Sequence, residues 1–189
     1  MTDPLGQSQV LPYLEGLSQK GHEITLLSFE KSNRLKTQGR HIELLCKEAN
    51  VDWVPQKYTA TPPVLSALKD FRVMKQQAVN LHRKKYFDIV HARGYLPAMA
   101  GQLLQKKHGV KLLFDMRGFW PDERVEGGIW NRKNPVFNLV YKFFKRKERS
   151  LFNTADAVVS LTQAGKNIIQ QWPFVRSETN HISVIPCCA

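Results

Sequence analysis

An apolar run breaks abruptly into charge, glycine and aromatics in Leu112-Leu113-Phe114-Asp115-Met116-Arg117-Gly118-Phe119-Trp120-Pro121-Asp122-Glu123. A buried parallel strand has this character where it opens into a loop. In open α/β sheets ligands sit outside the carboxyl ends of the strands, so polar groups placed there face a substrate rather than the core. Asp115 and Arg117 stand two residues apart. Their simplest relation is a mutual ion pair holding the loop; the functional alternative has Arg117 gripping an anion while Asp115 orients a hydroxyl. His91 and Arg93 share that spacing before Gly94. One strand face could then present an imidazole and a cation to a phosphorylated or hydroxylated group, against a histidine that is merely hydrogen-bonded.

Two more segments fall at expected strand ends: Ser160-Leu161-Thr162, and Gly6-Gln7-Ser8 if a strand precedes it. Gly6 would let the backbone approach a ligand, and the amides opening the next helix favour phosphate; a simple turn is the alternative. Neither a GxGxxG fingerprint nor a P-loop lysine pattern is present. Beyond Gly118, the aromatics Phe119, Trp120 and Trp130, together with Ile129, surround Asp122, Glu123, Arg124 and Glu126. Aromatics beside carboxylates suit a sugar, which stacks its flat face and hydrogen-bonds through its hydroxyls, and core packing of the tryptophans competes.

The elements that must position these groups follow from hydrophobic period. Val10, Leu14 and Leu17 recur at helical spacing, and the β-branched run Ile24 to Phe29 has strand length. The cycle repeats with helices over 32–49, 64–84, 97–107, 135–152 and 163–171, and strands over 51–54, 87–91, 111–114, 157–161 and 182–185. Such alternation means right-handed βαβ units, and hence a Rossmann-like, doubly wound, mostly parallel sheet flanked by helices. A loop from Gly118 to Lys133 exceeds the usual connection length and reads as a lid. The chain starts in the loop Asp3 to Gln9 rather than in a strand, so a first strand is expected to be missing.

The net charge of +12 calls for an anionic partner. Tyr141, Phe143, Phe144 and Phe152, interleaved with Lys142, Lys145, Arg146, Lys147 and Arg149, could form a helix resting on anionic lipid, or the aromatics could be its sheet-facing side. Charge alone points to nucleic acid, but no reading motif accompanies it, and no nucleic-acid partner is expected. A nicotinamide enzyme would need the missing fingerprint. No apolar run reaches the roughly 18 residues of a bilayer span and the polar start is no signal peptide, so a cytoplasmic protein is expected. Three cysteines, two of them adjacent at Cys187 and Cys188, make neither a disulfide framework nor a zinc set.

Four segments together resemble the amino-terminal half of a glycosyltransferase of family four, a group with the GT-B architecture of two facing Rossmann-like domains. They are Asp3 to Leu14, Lys20 to Glu30, Asp115 to Trp130, and Val184-Ile185-Pro186-Cys187-Cys188. The resemblance implies that residues 1–189 are the acceptor-side domain of a retaining, hexosyltransferase-type enzyme of cell-surface glycan synthesis. A carboxy-terminal donor-binding domain would lie outside this chain, leaving it inactive alone. The sugar would move from a nucleotide sugar to a lipid-linked or polysaccharide acceptor at the inner membrane face, with no metal or cofactor. Asp115 and His91 would serve catalysis, and Gly6, Gln7 and Ser8 would meet the donor phosphates. Arg93, Gly94, Arg117, Gly118, Trp120, Asp122 and Glu123 would bind substrate. Many relatives place a histidine where this chain has Asp115-Met116-Arg117. The alternative is a noncatalytic basic module that docks on membranes or anions.

Overall fold

The computed structural model describes residues 1–175 and 182–187, so Cys188 lies outside the described residues. The chain divides into two compact units, Met1–Arg72 with Cys187–Ala189, and Val73–Pro186.

In the first unit, a π-helical stretch Gly6–Val10 runs directly into α1 (Leu11–Gln19). The expected opening loop is therefore helical: the amides of Gly6 and Gln7 both donate to the Asp3 carbonyl, at 2.9 and 3.4 Å. Strand β1 (Ile24–Glu30), helix α2 (Ser32–Glu48) and strand β2 (Val51–Lys57) follow, with Ile24 in parallel register with Val51. Leu11, Leu14, Ile42, Cys46 and Val51 are buried together, which places one face of each helix in the core, as its apolar spacing requires. At the end of β1, Glu30 is buried and accepts from the Thr2 amide (2.9 Å), the Thr2 hydroxyl (2.6 Å) and the Ser28 hydroxyl (2.6 Å), and pairs with the terminal ammonium. Burial pushes its carboxyl up, but these donors outweigh it and hold the pKa at about 2.

Helix α3 (Pro63–Lys85) contains the boundary between the units. The second unit comprises β3 (Ile89–Arg93), α4 (Tyr95–His108), β4 (Lys111–Met116), α5 (Trp120–Glu126), α6 (Pro135–Thr154), β5 (Ala157–Ser160), α7 (Gln163–Gln170) and β6 (Ile182–Val184). Its four strands pair in parallel in the order β3-β4-β5-β6. Ala92, Phe114, Val158 and Ile182 join Leu151 and Phe152 of α6 and Ile169 of α7 in one core. Gly101 lets α4 lie close on β4, since a Cβ there would meet Leu112 Cδ1 at 2.6 Å.

The α/β class with parallel, helix-flanked sheets is as expected. The expected single sheet, however, is two: among the described residues β1 pairs with β2 and the remaining strands pair only among themselves. The lid is also not one loop. Pro121 near its start, with Asp122 and Glu123 in the first turn, opens the short helix α5 inside it.

Candidate functional site

Strand β3 runs two residues further than its apolar pattern implies, and β4 likewise, so Arg93 and Asp115 are strand residues rather than loop residues, with His91 in the strand as expected. Arg93 is in register with Asp115 and His91 with Leu113. Alternation along a strand puts all three polar side chains on one face, opposite Ala92 and Phe114. Asp115 is only 5% exposed. Its Oδ2 lies 3.4 Å from His91 Nε2, 3.4 Å from Arg93 Nε and 3.8 Å from an Arg117 nitrogen. The expected Asp115–Arg117 pair is thus one side of a set centred on a single carboxylate oxygen.

The other oxygen, Oδ1, is buried and has no hydrogen-bond partner among the described residues. Buried acceptors are nearly always satisfied, so one at a strand end calls for a donor. Two arginines, Arg93 and Arg117, stand against this one carboxylate.

Next to this set, Gly94, Tyr95, Pro97, Arg117, Trp120 and Glu123 are among the residues lining a cavity of about 250 Å³. That is room for one ring-sized group rather than a whole nucleotide sugar. Gly94 links β3 to α4 with φ +87° and ψ 178°, and its amide donates to the Asp115 carbonyl at 2.9 Å. Only glycine adopts that backbone readily. Gly118 lies against the Glu123 carboxylate, where a Cβ would collide with it.

Trp120 and Trp130 are half-buried and packed together with Phe144: Trp120 sits edge-on to Phe144 at 4.8 Å and Trp130 stacks on it at 5.7 Å. The core reading of the tryptophans therefore holds, with Trp120 also lining the cavity. Asp122 is engaged with the neighbouring helix. It accepts from Tyr141 (2.8 Å) and Lys145 (3.0 Å) of α6. Lys145 also pairs with Glu148, which is fully buried and accepts from the Tyr95 hydroxyl at 2.5 Å. Burial pushes the Glu148 carboxyl up, and the Tyr95 hydroxyl is pushed up by burial and by that carboxylate. Lys145 accordingly leaves the expected outward cationic cluster, because two carboxylates hold it inward. Glu148 is the one acid of a basic helix, three residues after Lys145, and that isolation was the available clue to this network.

In the first unit, Gly6 is half-buried with its amide spent inside the helix. A Cβ on it would press on the Met1 backbone at 2.8 Å, so close chain packing accounts for the glycine. A wider, shallower depression of about 650 Å³ lies over Leu35, Arg40, Glu43 and Trp53 and contains none of the strand-end residues. Among the described residues no group of three or more His, Cys, Asp or Glu side chains is placed to hold a metal, and no helix is long and apolar enough to cross a membrane.

No curated protein sequence matches the chain. The model of Glycosyltransferase Family 4 matches residues 7–189. Parallel α/β units, polar groups gathered at strand ends and a family match over almost the entire length agree, and the chain belongs to glycosyltransferase family 4.

Proposed function

We propose that this protein is the acceptor-side domain of a retaining hexosyltransferase that moves a sugar from a nucleotide-sugar donor to a lipid-linked or polysaccharide acceptor. A second, donor-binding domain completes the enzyme, no metal takes part, and the work is done at the cytoplasmic face of a membrane. Asp115 carries this reading, as a buried carboxylate at the end of β4 with one oxygen awaiting a donor.

In the reaction, Asp115 Oδ1 accepts a hydrogen bond from a sugar hydroxyl and fixes the direction of its lone pairs. His91, in contact with the other oxygen, keeps the carboxylate oriented. Arg93 and Arg117 face the phosphate charge that grows as the bond to the donor sugar breaks. Gly94 and the first turn of α4 bring backbone amides to the same end of the sheet. Trp120 offers a flat wall to the sugar ring, and Glu123 a hydroxyl acceptor.

The test is transfer of label from a panel of radiolabelled nucleotide hexoses to a membrane lipid and polysaccharide extract, using the complete enzyme. Label should reach one acceptor class, and Asp115→Asn should reduce the rate about a hundredfold. Transfer at the wild-type rate by that variant would remove Asp115 from the mechanism. The second reading, a noncatalytic basic module, gains support from the cationic outer residues of α6 and predicts no transfer with any donor.

A further inference from the structure

We infer that the outward face of α6 is a docking surface for an anionic phospholipid bilayer. The inference deepens the membrane placement proposed above but does not depend on the strand-end site, so either can fail without the other.

The inner face of α6 buries Phe144, Glu148, Leu151 and Phe152. On the outer face Val136, Leu139 and Phe143 are 58%, 68% and 43% exposed. Their spacing of three and four residues aligns them in a single stripe along the helix. At 100° per residue, Lys142 and Arg146 flank one side of this stripe and Lys147 the other, its Nζ 5.8 Å from the Phe143 ring centre. The only acid of the helix, Glu148, is buried and taken by Tyr95 and Lys145. The outward face therefore has no carboxylate to neutralise its cations.

An apolar stripe between rows of cations is what a helix lying in a headgroup layer presents. The apolar side chains enter the acyl boundary while lysine and arginine meet phosphate. A nucleic acid would use the cations but has no partner for an exposed valine, leucine and phenylalanine in line. A second copy of the chain would bring like charges together along the same stripe. With 20 residues, α6 gives about 30 Å of contact lying along the surface.

The experiment is co-sedimentation of the protein with phosphatidylglycerol–phosphatidylcholine vesicles, with pure phosphatidylcholine vesicles and with polyuridylate RNA. The protein should bind the anionic vesicles and ignore the neutral ones. Leu139→Ser, an exposed position that leaves the thermal midpoint unchanged, should weaken vesicle binding about tenfold. The Lys142→Gln, Arg146→Gln double variant should weaken it about 25-fold. Lys106→Gln with Lys107→Gln, exposed cations of α4, should leave it unchanged. Absence of binding to anionic vesicles would overturn the proposal. So would an equal loss in the α4 control, which would reduce the effect to net charge. RNA binding that is tighter than vesicle binding and indifferent to Leu139→Ser would overturn it in favour of a nucleic-acid surface.

Discussion

Two constellations in the second unit each set a buried carboxylate against basic side chains, and they differ in what is left over. Around Glu148, both carboxylate oxygens face a partner: Oε2 accepts from Tyr95, and Oε1, which has no hydrogen bond of good geometry, is met by the Lys145 ammonium in an ion pair, while Lys145 also meets Asp122 and the face of Trp172 at 5.0 Å, and Asp122 meets Tyr141. Around Asp115, three basic side chains crowd one oxygen at 3.4 to 3.8 Å while the other oxygen has no hydrogen-bond partner among the described residues. The first set is closed and fastens α4, α5 and α6 together. The second is open, with distances looser than a well-formed hydrogen bond. A buried polar network that is complete serves the fold, and the one left incomplete at a strand end is the one proposed to take a ligand. Burial alone does not separate them, since both carboxylates are buried; the ion pair that meets the second oxygen of Glu148, and has no counterpart at Asp115 Oδ1 among the described residues, does.

The contrast is broken most severely at Glu148. Glu148→Ala leaves Lys145 and the Tyr95 hydroxyl without their carboxylate and should destabilise the second unit by about 3–5 kcal/mol in urea unfolding. Asp115→Asn should change stability by less than about 1 kcal/mol, because its partners are solvent-accessible and loosely placed. If the two variants lose equal stability, the distinction between closed and open sets fails.

Gly94→Ala sharpens the same comparison from the backbone. A Cβ there touches nothing within 4 Å, so the whole cost is conformational, about 1–3 kcal/mol by thermal denaturation. Ligand affinity at the neighbouring cavity should fall with it. A neutral result would mean that the β3–α4 turn relaxes freely and does not fix the site.

A further comparison lies in the first unit, where Glu30 is a buried carboxylate like Glu148 but with its pKa held at about 2. A folded-state value below the unfolded one of about 4.3 means that its stabilisation is whole above that pH and lost as pH falls towards 2. Acid titration of stability should therefore show a loss in this window that Glu30→Gln abolishes. An unchanged acid limb in that variant would show that Glu30 does not set it.

Much of this was legible in the amino-acid order. Continuous apolar runs such as Leu112-Leu113-Phe114 marked the parallel strands, and the shift to charge after Phe114 marked the end that matters. The ends of β3 and β4 were less legible, because ladder hydrogen bonds carry a strand past its last apolar residue and through Arg93 and Asp115. Helix α5 had its clue in Pro121-Asp122-Glu123, a proline-and-acid opening hidden among aromatics that read as a lid. The division into two sheets had no local clue, since pairing joins residues far apart in sequence. Nor could order alone reveal that Asp122 turns to Tyr141 and Lys145, or that Lys145 faces inward, because i and i+3 relations do not say which face of a helix is covered.

The central claim is that the Asp115 set is an open site for a phosphate and a sugar hydroxyl. Calorimetric titration of the wild type, Asp115→Asn and Arg117→Ala with hexose 1-phosphates tests it most directly. Saturable binding by the wild type, about tenfold weaker in each variant with thermal midpoints unchanged, is the predicted result. Equal affinity in all three proteins, or no binding by any of them, would contradict the account.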